Sequence, residues 1–189
     1  MVTNVGLREA LIEVALKLLE AEGAEPSLRS VAREAGVSAM APYRHFADKA
    51  ALLAAVASHG FAILRDALMN ADKQPDHCQA LFAQGMAFVD FARANPALFR
   101  LMYSHEYGRA DAGAVRGTYE VLAKRVAGII PQHVAAATLA CRSMIQGLAM
   151  IELSGRLAPA RSEDIAIAVR LLVSGLSSSK PRATALKWG

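Results

Sequence analysis

Four side chains within seven residues, Tyr43, Arg44, His45 and Lys49, hold the densest recognition chemistry in this chain. Arg44 is a planar, bidentate donor whose fork matches the edge of a guanine base. Tyr43 and His45 can hydrogen-bond backbone phosphates. Lys49 adds a cation at the start of a helix, where unpaired amides also favour an anion. Just ahead lie Ser38, Ala39, Met40 and Ala41, which are small or apolar. They allow a backbone to enter a major groove and offer methyl contacts to thymine. Ser27 and Arg29, at the head of the preceding helix, are further phosphate candidates. Between residues 27 and 49 four basic side chains face two acidic ones, so this local surface is positive.

Bond-making chemistry is absent from the pattern. His59, His77, His105 and His133 are scattered, with no pair four apart. His105-Glu106 opens a zinc-protease string, but Arg109 occupies the second ligand position. There is no Gly-rich phosphate loop, nucleophile elbow or paired carboxylate, so neither an enzyme nor a cofactor or metal site is expected. Cys78 and Cys141 are too few for a disulfide scaffold and fit a reducing cytoplasm. They read as inert buried thiols, although Arg142 beside Cys141 leaves a redox role open there.

The elements that must position the cluster are all helical. Leu7, Leu11, Val14 and Leu18 place a buried stripe on a helix over about Val5–Glu22, which Gly23 ends. Ser27 caps a helix over Leu28–Ala35. Gly36-Val37-Ser38 makes a tight turn, and a short helix is expected over Ala39–Phe46, with Pro42 forcing its start close to Ser38. There Met40 and Arg44 share one face, and Ala41 and His45 another. This is a helix-turn-helix pattern, with Leu28, Val31, Ala32, Val37 and Phe46 as its inner face. Asp48 caps a fourth helix from Lys49 to about Asn70. Further helices are expected near His77–Ala94, Pro96–Ser104, Asp111–Ile130, Gln132–Ser154 and Ser162–Leu176, with a loose loop at 108–113.

The 189 residues, 54% hydrophobic and 20% charged, can bury a core, and the Ala- and Leu-rich balance disfavours sheet. The expected fold is all-α with about nine helices. A helix-turn-helix domain over 1–50 is expected ahead of a larger helical bundle over 51–176 and a tail over 177–189. Uncharged stretches such as Ala50–Leu64 and Val126–Cys141 fall short of a bilayer span, so no membrane helix or signal peptide is expected. The net charge of +4 does not argue for nucleic acid by itself, because residues 1–50 carry six bases and seven acids.

Leu28 to Ser38, then Ala41-Pro42-Tyr43-Arg44-His45-Phe46, Asp48-Lys49 and Leu52-Leu53 resemble the TetR family of transcriptional regulators over about residues 5–60. The resemblance implies a three-helix DNA-binding domain on a divergent helical domain that senses ligands and dimerises. Asn95 to Tyr103 resembles members with a Trp-His-Gly type C-terminal domain, whose signature falls near Gln146-Gly147-Leu148. Here Arg142 and Gln146 stand for the tryptophan and histidine.

The partner expected for residues 27–49 is double-stranded DNA at a palindromic operator, because one short helix-turn-helix makes few contacts and two-fold symmetry doubles them. The homodimer is expected through the last two helices. One offers a small face of Ala135–Ala137, Ala140, Gly147 and Ala149, the other Ile165, Val169, Leu172, Val173 and Leu176. Phe88, Phe91, Phe99, Met102, Tyr103, Tyr119, Gln146 and Met150 are expected to line a pocket for a small hydrophobic effector, with Gln146 as its buried amide. The rival reading is a helical interaction module, or a small-molecule-binding protein, that no longer reads DNA.

Overall fold

The computed structural model describes residues 4–104, 110–154 and 162–179. Eight α-helices carry most of them: α1 (Asn4–Glu22), α2 (Leu28–Glu34), α3 (Lys49–Ala71), α4 (His77–Ala94), α5 (Pro96–Met102), α6 (Ala112–Ile129), α7 (Val134–Ser154) and α8 (Ser162–Ser178). The fold is all-α, with no strand among the described residues. The expected string at His105–Arg109, part of the 108–113 loop and the tail beyond Ser179 lie outside the described residues.

The helix expected over Ala39–Phe46 is instead a turn followed by a single 3-10 turn at Pro42–Arg44, which lowers the count from nine to eight. Pro42 is the cause. It has no N–H to give the Ser38 carbonyl, and in an α-helix its ring would collide with that carbonyl. The Ala41 N–H reaches the Ser38 oxygen instead, at 2.9 Å and a spacing of three. A similar 3-10 turn at Pro131–His133 delays the start of α7 from Gln132 to Val134.

The buried stripe of α1 is Leu11, Ile12, Ala15 and Leu19, while Leu7, Val14 and Leu18 are half-buried. Apolar residues occupy so many positions of α1 that its periodicity fits either stripe.

The chain forms two compact units. The first comprises the described residues of Met1–Asp66 and Phe91–Thr118. Within it Gly60 of α3 meets α5 closely: a Cβ there would stand 2.7 Å from Met102 Sδ and 2.9 Å from Leu98 Cδ1. Phe99 is fully buried, and Tyr103 packs against Phe61 and Phe99 at centroid distances of 5.6 and 4.8 Å. The Thr118 hydroxyl reaches the Phe61 carbonyl at 3.1 Å.

The second unit comprises the described residues of Ala67–Asp90 and Tyr119–Gly189. Leu81, Val126, Ile130, Ala137, Cys141 and Val173 form its core. Gly85 lets α4 approach Ile145 and Val169, where a Cβ would sit at 2.8 and 2.9 Å. Ile165, Val169 and Val173, expected on a subunit interface, are buried within their own chain instead, as are Ala137 and Ala149. Ala135, Ala136 and Ala140 are exposed, and the space around Gly147 is open.

Two helical stretches, Lys49–Ala71 and Pro131–Ser154, are long and apolar enough to cross a bilayer by length and composition alone, with mean hydropathies of 1.4 and 1.5. Counting only uncharged runs missed both. In α3 the apolar residues serve the core: Leu52, Leu53, Val56, Phe61 and Leu64 are buried.

A polar centre, with Gln84 buried and Asp72 and Arg125 largely covered, joins the end of α3 to α4 and α6 in the second unit. Arg125 Nε pairs with Asp72 Oδ1, and its Nη2 donates to the Asp72 carbonyl at 3.1 Å. Gln84 Nε2 donates to Asp72 Oδ1 at 2.8 Å. Removing one member strands the others in a poorly hydrated place, which costs more than the pair itself is worth. Asp72→Ala should therefore lower unfolding stability by about 3 kcal/mol, read as a fall in the urea midpoint with an unchanged slope.

Candidate nucleic-acid interface

The interface begins with a helix whose two ends are closed locally. At the head of α2 the Ser30 N–H donates to Ser27 Oγ at 3.0 Å, and the Ser27 N–H donates to Ser30 Oγ at 2.9 Å, a reciprocal cap. Leu28, Val31 and Ala32 are its buried face. At the tail Gly36 adopts φ +66°. The Val37 N–H then reaches back to the Ala32 carbonyl at 3.0 Å and the Gly36 N–H to the Arg33 carbonyl at 3.2 Å. These two bonds satisfy the last carbonyls of the helix and fix the direction in which the chain leaves it.

The segment that follows is pinned from below. Pro42 and Phe46 are buried, and the Arg8 guanidinium lies 5.4 Å from the centroid of the Phe46 ring. The Phe46 N–H closes the segment on the Pro42 carbonyl at 2.9 Å. Ser38, Ala39, Met40, Tyr43 and Arg44 face outward, while Ala41 and His45 are half-buried. Met40 and Arg44 are thus both exposed, and Ala41 and His45 both half-buried, although the segment is not an α-helix. Met40 is 65% exposed and Tyr43 43%, unusual for side chains of their size.

Ser27 and Arg29 are exposed at the head of α2. Asp48 caps α3 by accepting the Ala51 N–H at 2.7 Å. Lys49 stands exposed next to it, but its ammonium is paired with Glu25 Oε2 at 2.7 Å. A phosphate at Lys49 must compete with that carboxylate. Arg8, held on Phe46 at the edge of the same segment, is a cation the sequence pattern did not single out; its distance of 38 residues from Phe46 gave no signal.

The residues expected to line an effector pocket divide between the two units. Phe91, Phe99, Met102 and Tyr103 belong to the first; Phe88, Tyr119, Gln146 and Met150 belong to the second. Met150 is 42% exposed, because it lies off the buried stripe of α7. The fully buried glutamine is Gln84 rather than the half-buried Gln146, and among the described residues Gln84 Oε1 has no hydrogen-bond partner. The Arg142 guanidinium lies 3.7 Å from the Tyr119 ring centroid. Cys141 is buried and its thiol is pushed up to about 11 by desolvation, so it stays protonated and the neighbouring Arg142 does not activate it. Desolvation, then the Asp76 carboxylate, also raises Cys78. Among the described residues no three His, Cys, Asp or Glu side chains gather as a metal site.

A capped helix, a glycine-closed turn and an outward-facing Met-Tyr-Arg patch are the parts of a helix-turn-helix reader. Residues 11–56 match the bacterial regulatory proteins of the tetR family, and residues 81–176 match the tetracyclin repressor-like C-terminal domain. The chain belongs to the TetR family. An uncharacterized HTH-type transcriptional regulator of Haemophilus influenzae is 30% identical over 117 residues, a match covering 60% of this chain and 57% of that protein. This chain therefore aligns with little more than half the length of that relative. Two solved structures are similar over nearly the whole chain. A protein of unknown function from Rhodococcus sp. RHA1 is 31% identical, with TM-score 0.76, covering 90% of this chain and 95% of that one. A tetR-family regulatory protein from Rhodococcus RHA1 is 25% identical, with TM-score 0.60 and coverage of 89% and 94%.

The turn geometry makes a direct prediction. An L-residue forced to positive φ costs roughly 1–2 kcal/mol, and a Cβ on Gly36 would meet nothing within 4 Å. Gly36→Ala should therefore destabilise the fold by that conformational term alone, measured by thermal unfolding. A much larger loss would mean that the site is crowded.

Proposed function

We propose that this chain is a homodimeric DNA-binding transcriptional repressor of the cytoplasm, released from a palindromic operator by a small hydrophobic effector. Residues 1–50 are the reader in this proposal, 51–176 bind the effector and the second subunit, and 177–189 are a tail. The observation that carries the reading is the exposed Met40, Tyr43 and Arg44 patch standing on buried Pro42 and Phe46. An exposed methionine and tyrosine beside an unburied guanidinium make sense against a groove and its phosphates, and little sense in bulk water. Arg44 reads a base edge; Ser27, Arg29, Tyr43, His45 and Lys49 hold phosphates; Ser38, Ala39, Met40 and Ala41 form the close-approach surface.

Dimerisation through the last two helices is supported by where the chain leaves apolar surface. Of the eight large hydrophobic side chains exposed among the described residues, Leu139, Met150, Ile151, Ile167 and Leu171 belong to α7 and α8. Small exposed Ala136, Ala140 and Ser143 lie beside them on α7 and permit close helix approach. Two copies pairing on this face set their readers about one duplex turn apart, or a multiple of it. An effector that favours another spacing shifts the population off DNA. The aromatic cluster of Phe99 and Tyr103, with Phe91 and Met102 buried in the same unit, supports an apolar effector.

The reading is tested by titrating duplexes chosen from random sequence at several salt concentrations. Arg44→Ala should cost roughly 1–3 kcal/mol and relax sequence preference. Lys49→Ala should weaken all duplexes alike and flatten the salt slope by up to about one unit. Binding that is absent, or that does not weaken as salt rises, would favour the rival reading as an interaction module that has lost the reader. For the interface, Leu171→Glu places two carboxylates on the proposed two-fold face. It should raise the dimer dissociation constant roughly tenfold or more, measured by analytical ultracentrifugation with unchanged helical content.

A further inference from the structure

The four amides that open any α-helix lack partners inside it, and the residue preceding the helix normally supplies one. For α5 that residue, Asn95, does not. Its side chain turns back and donates to the Phe91 carbonyl at 3.0 Å, and it makes no cap. Pro96 has no N–H. The Phe99 N–H is taken by the Asn95 carbonyl at 2.8 Å. The two amides left over are met from 77 and 78 residues away. Glu20, on the last turn of α1, accepts the Leu98 N–H on Oε1 at 2.7 Å and the Ala97 N–H on Oε2 at 3.3 Å. Both oxygens of one carboxylate are thus spent on closing another helix, and its charge faces the positive end of that helix dipole.

The two helices joined in this way have different roles. The last turn of α1 leads through Gly23 and Pro26 directly into α2. Helix α5 carries buried Phe99 and Met102 and ends at Tyr103, which packs on Phe61. We propose that Glu20 is the positioning residue that transmits displacement of α5 to the helix-turn-helix: while the carboxylate holds Ala97 and Leu98, α5 and the head of the reader move together, and once it lets go they do not. A second route leads from α5 to the reader, through the close contact of Met102 with Gly60 on α3. The coupling runs through Glu20 and not through that contact. It draws on the functional reading only for its purpose, since the linkage is a property of the free protein.

Hydrogen exchange of the full chain, resolved by residue and without DNA, separates the two routes. Tyr103→Leu loosens α5 at the end away from Glu20. It should speed exchange of the Val37 and Phe46 amides, which close the reader's two turns, by about fivefold or more. In a Glu20→Ala background the same change should move them less than about twofold. Glu20→Gln, which keeps one acceptor for Leu98, should restore an intermediate response, and it carries the same comparison should the alanine variant fold poorly. An equal response with and without the carboxylate overturns the proposal in favour of the Gly60 route. So does a reader that ignores Tyr103→Leu in the otherwise native chain. Because no DNA is present, neither result depends on the duplex titrations above.

Discussion

The outward patch owes its direction to one buried ring. Phe46 is almost wholly covered, a burial that contributes roughly 1.5–3 kcal/mol. It closes a segment too short and too irregular to hold itself. A continuous helix from Ala39 to Phe46 would aim its side chains through its own hydrogen bonds. Here Pro42 removes one of those bonds, and the aim is set by what lies underneath. Phe46 and Pro42 are buried, Arg8 of α1 lies over the Phe46 ring, and Val37 is half-buried at the turn. Met40, Tyr43 and Arg44 are outward because the other side of the segment cannot leave the core.

What was legible in the sequence is what is decided within a few residues. Gly36, Val37 and Ser27 announced the ends of α2 because a cap and a left-handed turn are local bargains between neighbouring amides and carbonyls. The helix boundary set by Asn95-Pro96 was legible for the same reason. The segment at 38–46 was legible in its faces and not in its hydrogen bonding, since Pro42 tolerates a first helical turn and equally a tighter 3-10 turn. The tighter turn forms because Pro42 has no N–H for the Ser38 carbonyl and its ring would collide with that carbonyl in an α-helix. In α1 the residue types allowed two stripes, and packing selected Leu11, Ile12, Ala15 and Leu19.

Long-range polar pairing was not legible at all. Glu20, Glu25, Asp72, Gln84 and Arg125 look like ordinary solvated charges and amides along a helix. Yet Glu20 closes α5, Glu25 holds Lys49, and Asp72 is shared by Arg125 and Gln84. No periodicity specifies a partner dozens of residues away, so the buried amide was sought at Gln146 when it is Gln84. These pairs matter beyond their modest net energies, because each is directional: a carboxylate between two amides fixes an angle as well as a distance. The apolar core permits several packings of similar area, and such polar contacts narrow them.

Helix α8 shows the same limit from the apolar side. Ile165, Val169 and Val173 recur every four residues, and so do Ile167 and Leu171, so the helix carries two hydrophobic stripes and its spacing cannot say which one faces its own chain. The answer lies on another element. Gly85 of α4 leaves room for Val169 Cγ1, where any larger residue would place a Cβ 2.9 Å away. That gap admits the first stripe and commits Ile167 and Leu171 to the outside, where they are 55% and 68% exposed. A single missing side chain on α4 therefore decides which face of α8 remains to be covered, and α7 adds Leu139, Met150 and Ile151 to the exposed apolar surface of the same unit. Apolar residues on two sides of one helix call for neighbours on two sides. The chain itself supplies one of them, and a second copy, in the dimer proposed above, supplies the other.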